Sequence, residues 1–125
     1  MNNRMMQVAV AALLLGVGSA APAREYTLMI YERADQLALR TDTGAQGQAY
    51  WAAFAGIGQD MAKAGVLRGG APLDPRGSEA TLKLSGYLIV DVADTATAQA
   101  WAARIPAAVT GRVDIYPHAA AKTGM

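Results

Sequence analysis

The chain predicts an α+β fold, and three observations carry that expectation. Short β-favouring runs alternate with two stretches of helical period, in the order β-α-β-(β)-β-α-β. No internal repeat, low-complexity tract or linker interrupts the order. At 125 residues the chain suffices for one domain and not for two comfortable cores. The order is the split βαβ pattern of a ferredoxin-like fold, an antiparallel sheet with two helices on one face.

The N-terminal segment differs in character from the rest of the chain. Arg4 supplies a positive charge ahead of the apolar run VAVAALLLGVG, eleven residues from Val8 to Gly18. Ala21-Pro22-Ala23 then forms an A-x-A-like cleavage site. A helix of that length spans only about half of the ~30 Å hydrocarbon core. The expectation is a signal peptide over residues 1–23, a single domain over 24–125, and a periplasmic or secreted location without a permanent membrane span.

EYTLMIYE (Glu25 to Glu32) reads as the first strand, with Tyr26, Leu28 and Ile30 on one face and Thr27, Met29 and Tyr31 on the other. A loop comes next, with a helical turn around Gln36 to Leu39. From about Ala45 to Ala64 the period changes. Tyr50, Phe54, Ile57 and Met61 fall on one helical stripe, Lys63 suits the last turn and Gly65 the stop. Gly56 and Gly58 either weaken this helix or permit close packing.

VLRGGAPL (Val66 to Leu73) returns to extended character, and DPRGSE is turn chemistry. ATLKL alternates, Ser85-Gly86 marks a bulge or tight turn, and YLIVDV (Tyr87 to Val92) is the strongest strand signal. Asp94 caps a second helix bearing Ala98, Trp101, Ala102 and Ile105, which Pro106 stops. GRVDIYP is the last strand, and a frayed tail is expected from His118 onward. Two helices cover one face of such a sheet. Met29, Tyr31, Tyr87, Ile89 and Tyr116 would make the other too apolar to leave in water, so a homodimer is expected.

Composition removes several functions. There is no cysteine, hence no disulfide, thiolate nucleophile or cysteine-ligated metal. Removing residues 1–23 takes away Arg4 alone, leaving ten basic residues against ten acidic ones, with neither sign clustered. Such a surface offers no footprint for nucleic acid. His118 is the single histidine, so a transition-metal site lacks a second nitrogen ligand, and no cofactor is expected. A serine triad would need Ser78 or Ser85 to meet His118 without a nucleophile elbow. The glycine-rich AGVLRGGAPLDPRG lacks the Gly-Lys-Ser/Thr of a phosphate loop.

AGVLRGGAPL, then GYLIVDVADTATAQAWAARIPAA and a short final strand, resemble the YCII-related family over about Glu25 to Pro117. The most specific piece, DVADTATAQAWAARIP, is structural. The resemblance implies a small dimeric α+β barrel. It also exposes departures. The Asp-Gly-Pro-Phe hairpin of one branch is absent between ATLKL and SGYLIV. The helix histidine of other members, proposed to pair with an aspartate, falls on Phe54, which cannot shuttle a proton. The export segment differs from mostly cytoplasmic relatives.

The candidate site residues each carry two readings. Asp74 is a general base in a sheltered cleft or the start of a turn before Pro75. Arg68 is an anion clamp or a solvated arginine at a strand end. Tyr31, Tyr87 and Tyr116 line a small-molecule pocket on the uncovered sheet face, or pack a dimer there. His118 closes over the sheet edge or sits in a solvated tail. Asp94 reads as a cap, and Trp51 and Trp101 as helix packing residues. The functional expectation is a small organic ligand, bound or converted by lyase- or isomerase-like proton transfer with Asp74 as base. The alternative is a non-catalytic binding or assembly module.

Overall fold

The computed structural model describes residues 23–75 and 81–120. Residues 1–22 of the expected signal peptide, Arg76 and Ser78 lie outside them. Strand β1 (Arg24–Arg33) leads into a short helix α1 (Ala34–Leu37) and a 3₁₀ turn (Ala38–Thr41), and then helix α2 (Ala45–Lys63). Strands β2 (Leu67–Pro72) and β3 (Leu82–Val92) come next, then helices α3 (Thr95–Ala102) and α4 (Ala107–Thr110), and strand β4 (Arg112–Pro117). The four strands form one antiparallel sheet in the order β2-β3-β1-β4, the ferredoxin-like arrangement.

Period-two alternation sorts β1 as expected. Tyr26, Leu28 and Ile30 are buried beneath the helices, and Thr27, Met29 and Tyr31 are half-exposed opposite. On β3, Val90 and Val92 join the buried face. From α2, Ile57 and Met61 pack onto them, and Ala98, Ala102, Ile105 and Ala107 fill the space under α3 and α4. Fully burying a side chain such as Leu28 or Met61 contributes about 1.5–3 kcal/mol. Small alanines let α3 sit close to the sheet.

Three boundaries differ from expectation in instructive ways. The LKL of ATLKL and YLIVDV belong to one strand, because Ser85-Gly86 is a bulge and not a turn. Helix α3 stops at Ala102, three residues before Ile105. Pro106 has no N–H to offer Ala102 and restricts the residue before it, so Arg104 and Ile105 close tighter turns onto Trp101 and Ala102. Pro106 then opens α4. His118 is not the start of a frayed tail: its backbone N–H donates to the Glu25 carbonyl at 2.9 Å, continuing the β4–β1 ladder. Asp94 caps α3 through the Thr97 backbone N–H at 2.8 Å, and the Thr97 hydroxyl, donating at 2.7 Å, holds its carboxyl below the usual aspartate range together with that bond.

Gly65 stops α2 at φ +75°, where a side chain is strained. Gly56, by contrast, has open space where a Cβ would stand, so it serves no close packing. Gly56→Ala is therefore expected to raise stability by about 0.5–1 kcal/mol. Gly65→Ala should lower it by about 1–2 kcal/mol, both read by chemical denaturation. A loss from Gly56→Ala would contradict this packing.

Candidate functional site

The polar centre of the fold is built on Glu32. It shares strand parity with Tyr26, Leu28 and Ile30, so it points under α2, where only 2% of it is exposed. Opposite, Ile30 pairs with Gly86 and Tyr31 with Leu84, leaving Ser85 as the extra residue of the bulge. The bulge turns Ser85 inward as well as Gly86, and both are buried. The Ser85 hydroxyl donates to a Glu32 oxygen at 2.6 Å. The Tyr50 hydroxyl, from α2, straddles both Glu32 oxygens at 2.9 and 3.0 Å.

Arg40, in the 3₁₀ turn, completes the cluster. Its Nε donates to the Tyr50 hydroxyl at 3.1 Å, Nη1 to the Leu73 carbonyl at 2.7 Å and Nη2 to the Ser85 carbonyl at 2.6 Å. Nη2 also lies 3.6 Å from Glu32. One guanidinium thus joins the segment before α2 to the end of β2 and the bulge of β3, and it balances the buried carboxylate. Burial, reinforced by the Glu32 charge and opposed by the Arg40 bond, pushes the Tyr50 phenol above its ordinary value. At neutral pH Tyr50 is a protonated donor.

A cavity of about 210 Å³ opens beside this cluster, between α2 and the β2–β3 side of the sheet. Glu32, Tyr50, Ser85 and Arg40 form its polar end. Trp51, Phe54, Ile30, Leu88 and Pro72 form apolar walls. Trp51 is held by its indole N–H, which donates to the Arg40 carbonyl at 3.2 Å, and its ring lies 5.8 Å from the Arg40 guanidinium. Phe54 stacks at a tilt on Tyr50, with centroids 5.1 Å apart. Gly86 keeps β2 and β3 close, since a Cβ there would stand 3.0 Å from the Ala71 carbonyl oxygen. A carboxylate, two hydroxyls and a guanidinium at the end of an apolar cleft can position a small molecule and exchange a proton with it.

The sequence-derived candidates are distributed differently. The cavity lies on the helix-covered side, while strand register places Tyr31 and Tyr116 on the open face. Tyr31 carries the Arg112 guanidinium 4.3 Å over its ring, and Tyr116 is half-exposed. Tyr87, paired with Met29, shares the open face as expected and also borders the cavity. Arg68 pairs with Asp91 at 3.2 Å and donates to the carbonyls of Gly65 and Leu67. Asp74 is exposed beyond β2, and neither it nor Arg68 is among the residues lining the cavity. His118 lies on the first strand's edge. Its Nε2 is 2.6 Å from the Thr27 hydroxyl and its Nδ1 3.3 Å from Glu25.

Glu32, Arg40, Ser85 and Trp51 were not singled out as site residues from sequence. Glu32 alone left a local signal, a charged residue at the apolar parity of β1. Trp51 differs from the packing role expected of it: it is 42% exposed and forms a cavity wall. Among the described residues no three potential metal ligands converge, and no helix is long and apolar enough to cross a membrane.

Two measurements check the cluster. Ser85→Ala removes a donor from a buried carboxylate and is expected to cost about 1–3 kcal/mol; Arg40→Met should cost about 3 kcal/mol or more, because it leaves Glu32 without its counter-charge. Both are read by denaturant unfolding, and near-neutral effects would contradict the buried pairing. The Tyr50 linkage has a definite sign. Folding raises the phenol's value, so the native chain keeps this proton where the unfolded chain releases it. The contribution is complete below the ordinary tyrosine value near 10 and is lost as pH rises through the native value. Tyr50→Phe should flatten the alkaline loss of stability, and an unchanged slope would count against the shift.

No curated protein matches the sequence. A family model, that of the YCII-related domain, matches residues 25–119, from the first strand to the residue after His118. That span takes in every strand and helix of the sheet layer and all four residues of the polar cluster, and the chain belongs to the YCII-related family.

Proposed function

We propose that this YCII-related chain binds a small organic molecule in the cavity between α2 and the sheet, and exchanges a proton with it through Glu32. The observation that carries the reading is a carboxylate only 2% exposed at the polar end of a cleft with apolar walls. Excluding water strengthens each polar contact there. Glu32 accepts a proton from the ligand and returns it, Tyr50 and Ser85 hold the carboxylate in place, and Arg40 offsets its charge. This is the proton movement of a lyase- or isomerase-like reaction, with Glu32 in the part that the sequence suggested for Asp74.

A second reading, a binding module without catalysis, is favoured by Phe54. The position that the family resemblance assigns to a histidine is an apolar wall of the cavity here. Ligand screening by thermal shift separates the possibilities. Binders should raise Tm in the wild type, lose most of that shift in Phe54→Trp, and keep it in Arg68→Ala and Asp74→Asn. The converse pattern would move the site to the exit of β2. Turnover of a ligand found this way, measured at saturating ligand and abolished in Glu32→Gln, distinguishes enzyme from module.

The same proposal includes a homodimer and export. On the open face Met29, Tyr31, Tyr87 and Ile89 are half-exposed together, flanked by the Arg68–Asp91 and Arg112–Asp114 ion pairs. An apolar centre with a charged rim suits a second copy of the sheet. Light scattering at micromolar concentration should give twice the chain mass, and Ile89→Glu should halve it. A wild-type monomer would refute the pairing. Export rests on the sequence of residues 1–23. Protein recovered from the export compartment should begin at Arg24 by mass spectrometry, and an intact Met1 would refute cleavage.

A further inference from the structure

Building on the reading of this cavity as the ligand site, we infer its ligand class: a small uncharged aromatic molecule carrying a hydroxyl, a phenol in the simplest case, whose O–H donates to Glu32. The size of the cavity, its walls and the state of its charges each narrow the class.

An apolar cavity of about 150 Å³ takes one benzene. A volume of about 210 Å³ therefore suits a single ring with one or two small substituents. Trp51 and Phe54 present aromatic surface on one side, with Leu88 and Pro72 on the sheet side. A flat ring gains stacking contacts there that a branched aliphatic chain does not.

The polar end selects by sign. An ionised carboxylate only accepts hydrogen bonds and has about four lone-pair sites. Tyr50 and Ser85 each have one proton, and Glu32 is the nearest acceptor of both, with the Ile30 carbonyl 3.2 Å from the Ser85 hydroxyl. The carboxylate borders the cavity with accepting capacity in reserve. Among the described residues, Arg40 is the one cation bordering the same cavity, and its three nitrogens are directed at two backbone carbonyls and the Tyr50 hydroxyl. An anionic ligand would be repelled by Glu32, and Arg40, with three of its five N–H groups bonded, already serves Glu32 as counter-ion. A cationic ligand would place a second positive charge beside Arg40, in a site where Glu32 already has its counter-ion. A neutral donor meets neither cost.

The test uses four ring compounds of similar size: phenol, toluene, benzoate and benzylammonium. Each is titrated into the full chain, with the indole N–H signals of Trp51 and Trp101 followed by NMR. Trp51 walls the cavity and Trp101 lies on α3, so the first reports binding and the second is an internal control. Phenol should move the Trp51 signal and bind about tenfold or more tightly than toluene, the gain expected of a hydrogen bond to a charged group. Benzoate and benzylammonium should bind more weakly than phenol. Glu32→Gln should erase most of the phenol advantage while leaving toluene affinity unchanged. The wild-type series stands by itself if that variant does not fold. Equal binding of phenol and toluene, or tighter binding of either ion, at the Trp51 signal would overturn the ligand class and leave the cavity as a ligand site. Failure of all four to move the Trp51 signal at millimolar concentration would overturn both.

Discussion

A carboxylate removed almost entirely from water is the constraint around which this small fold is arranged. An isolated buried charge would cost far more than a domain of this size can supply, so Glu32 must be met by donors and a counter-charge. Three separate pieces of chain provide them. Tyr50 comes from the long helix, Ser85 from the bulge of the central strand, and Arg40 from the turn that precedes the helix. The guanidinium in turn occupies carbonyls at the end of β2 and in β3. Loosening any one of these groups frees the others. The cluster therefore sets the placement of α2 over the sheet, and with it the width of the cleft.

The two sheet faces solve different problems. Beneath the helices, small alanines and a few large side chains make a dry core that ends at the polar cluster and the cavity. On the opposite face, Met29, Tyr31, Tyr87 and Ile89 stay half-exposed while the charged residues around them pair locally. Arg68 and Asp91 belong to that second surface. Their pairing gives Arg68 a structural partner at the strand end, where the sequence offered it as a clamp. His118 extends β4 against β1 and is tied to Thr27 and Glu25, which makes the last residues before the tail part of the sheet edge.

Much of the architecture was legible along the chain. Helix α2 runs from Ala45 to Lys63 with its stop at Gly65, as the stripe Tyr50, Phe54, Ile57, Met61 and the glycine implied. Asp94 caps α3 by the bond its residue type makes best. The site was less legible. Asp74 and Arg68 bracket a glycine-rich strand, and neither lines the cavity beside Glu32. Glu32 ends an alternating strand, and its parity puts it with Tyr26, Leu28 and Ile30. Ser85-Gly86 reads along the chain as a bulge or a tight turn, and only the bulge turns the extra side chain inward.

Pattern along the chain was enough to set the elements, their order and which face each residue takes. Those properties come from periods of two and 3.6 residues, and neighbours in sequence suffice to establish them. Which polar groups meet is a property of the folded molecule alone. Arg40 reaches carbonyls 33 and 45 residues away, and Ser85 reaches Glu32 across 53. Such meetings depend on the strand order, on the one-residue slip in β3 and on the angle at which α2 crosses the sheet. No local pattern encodes those, because they are settled by what the whole chain must bury at once.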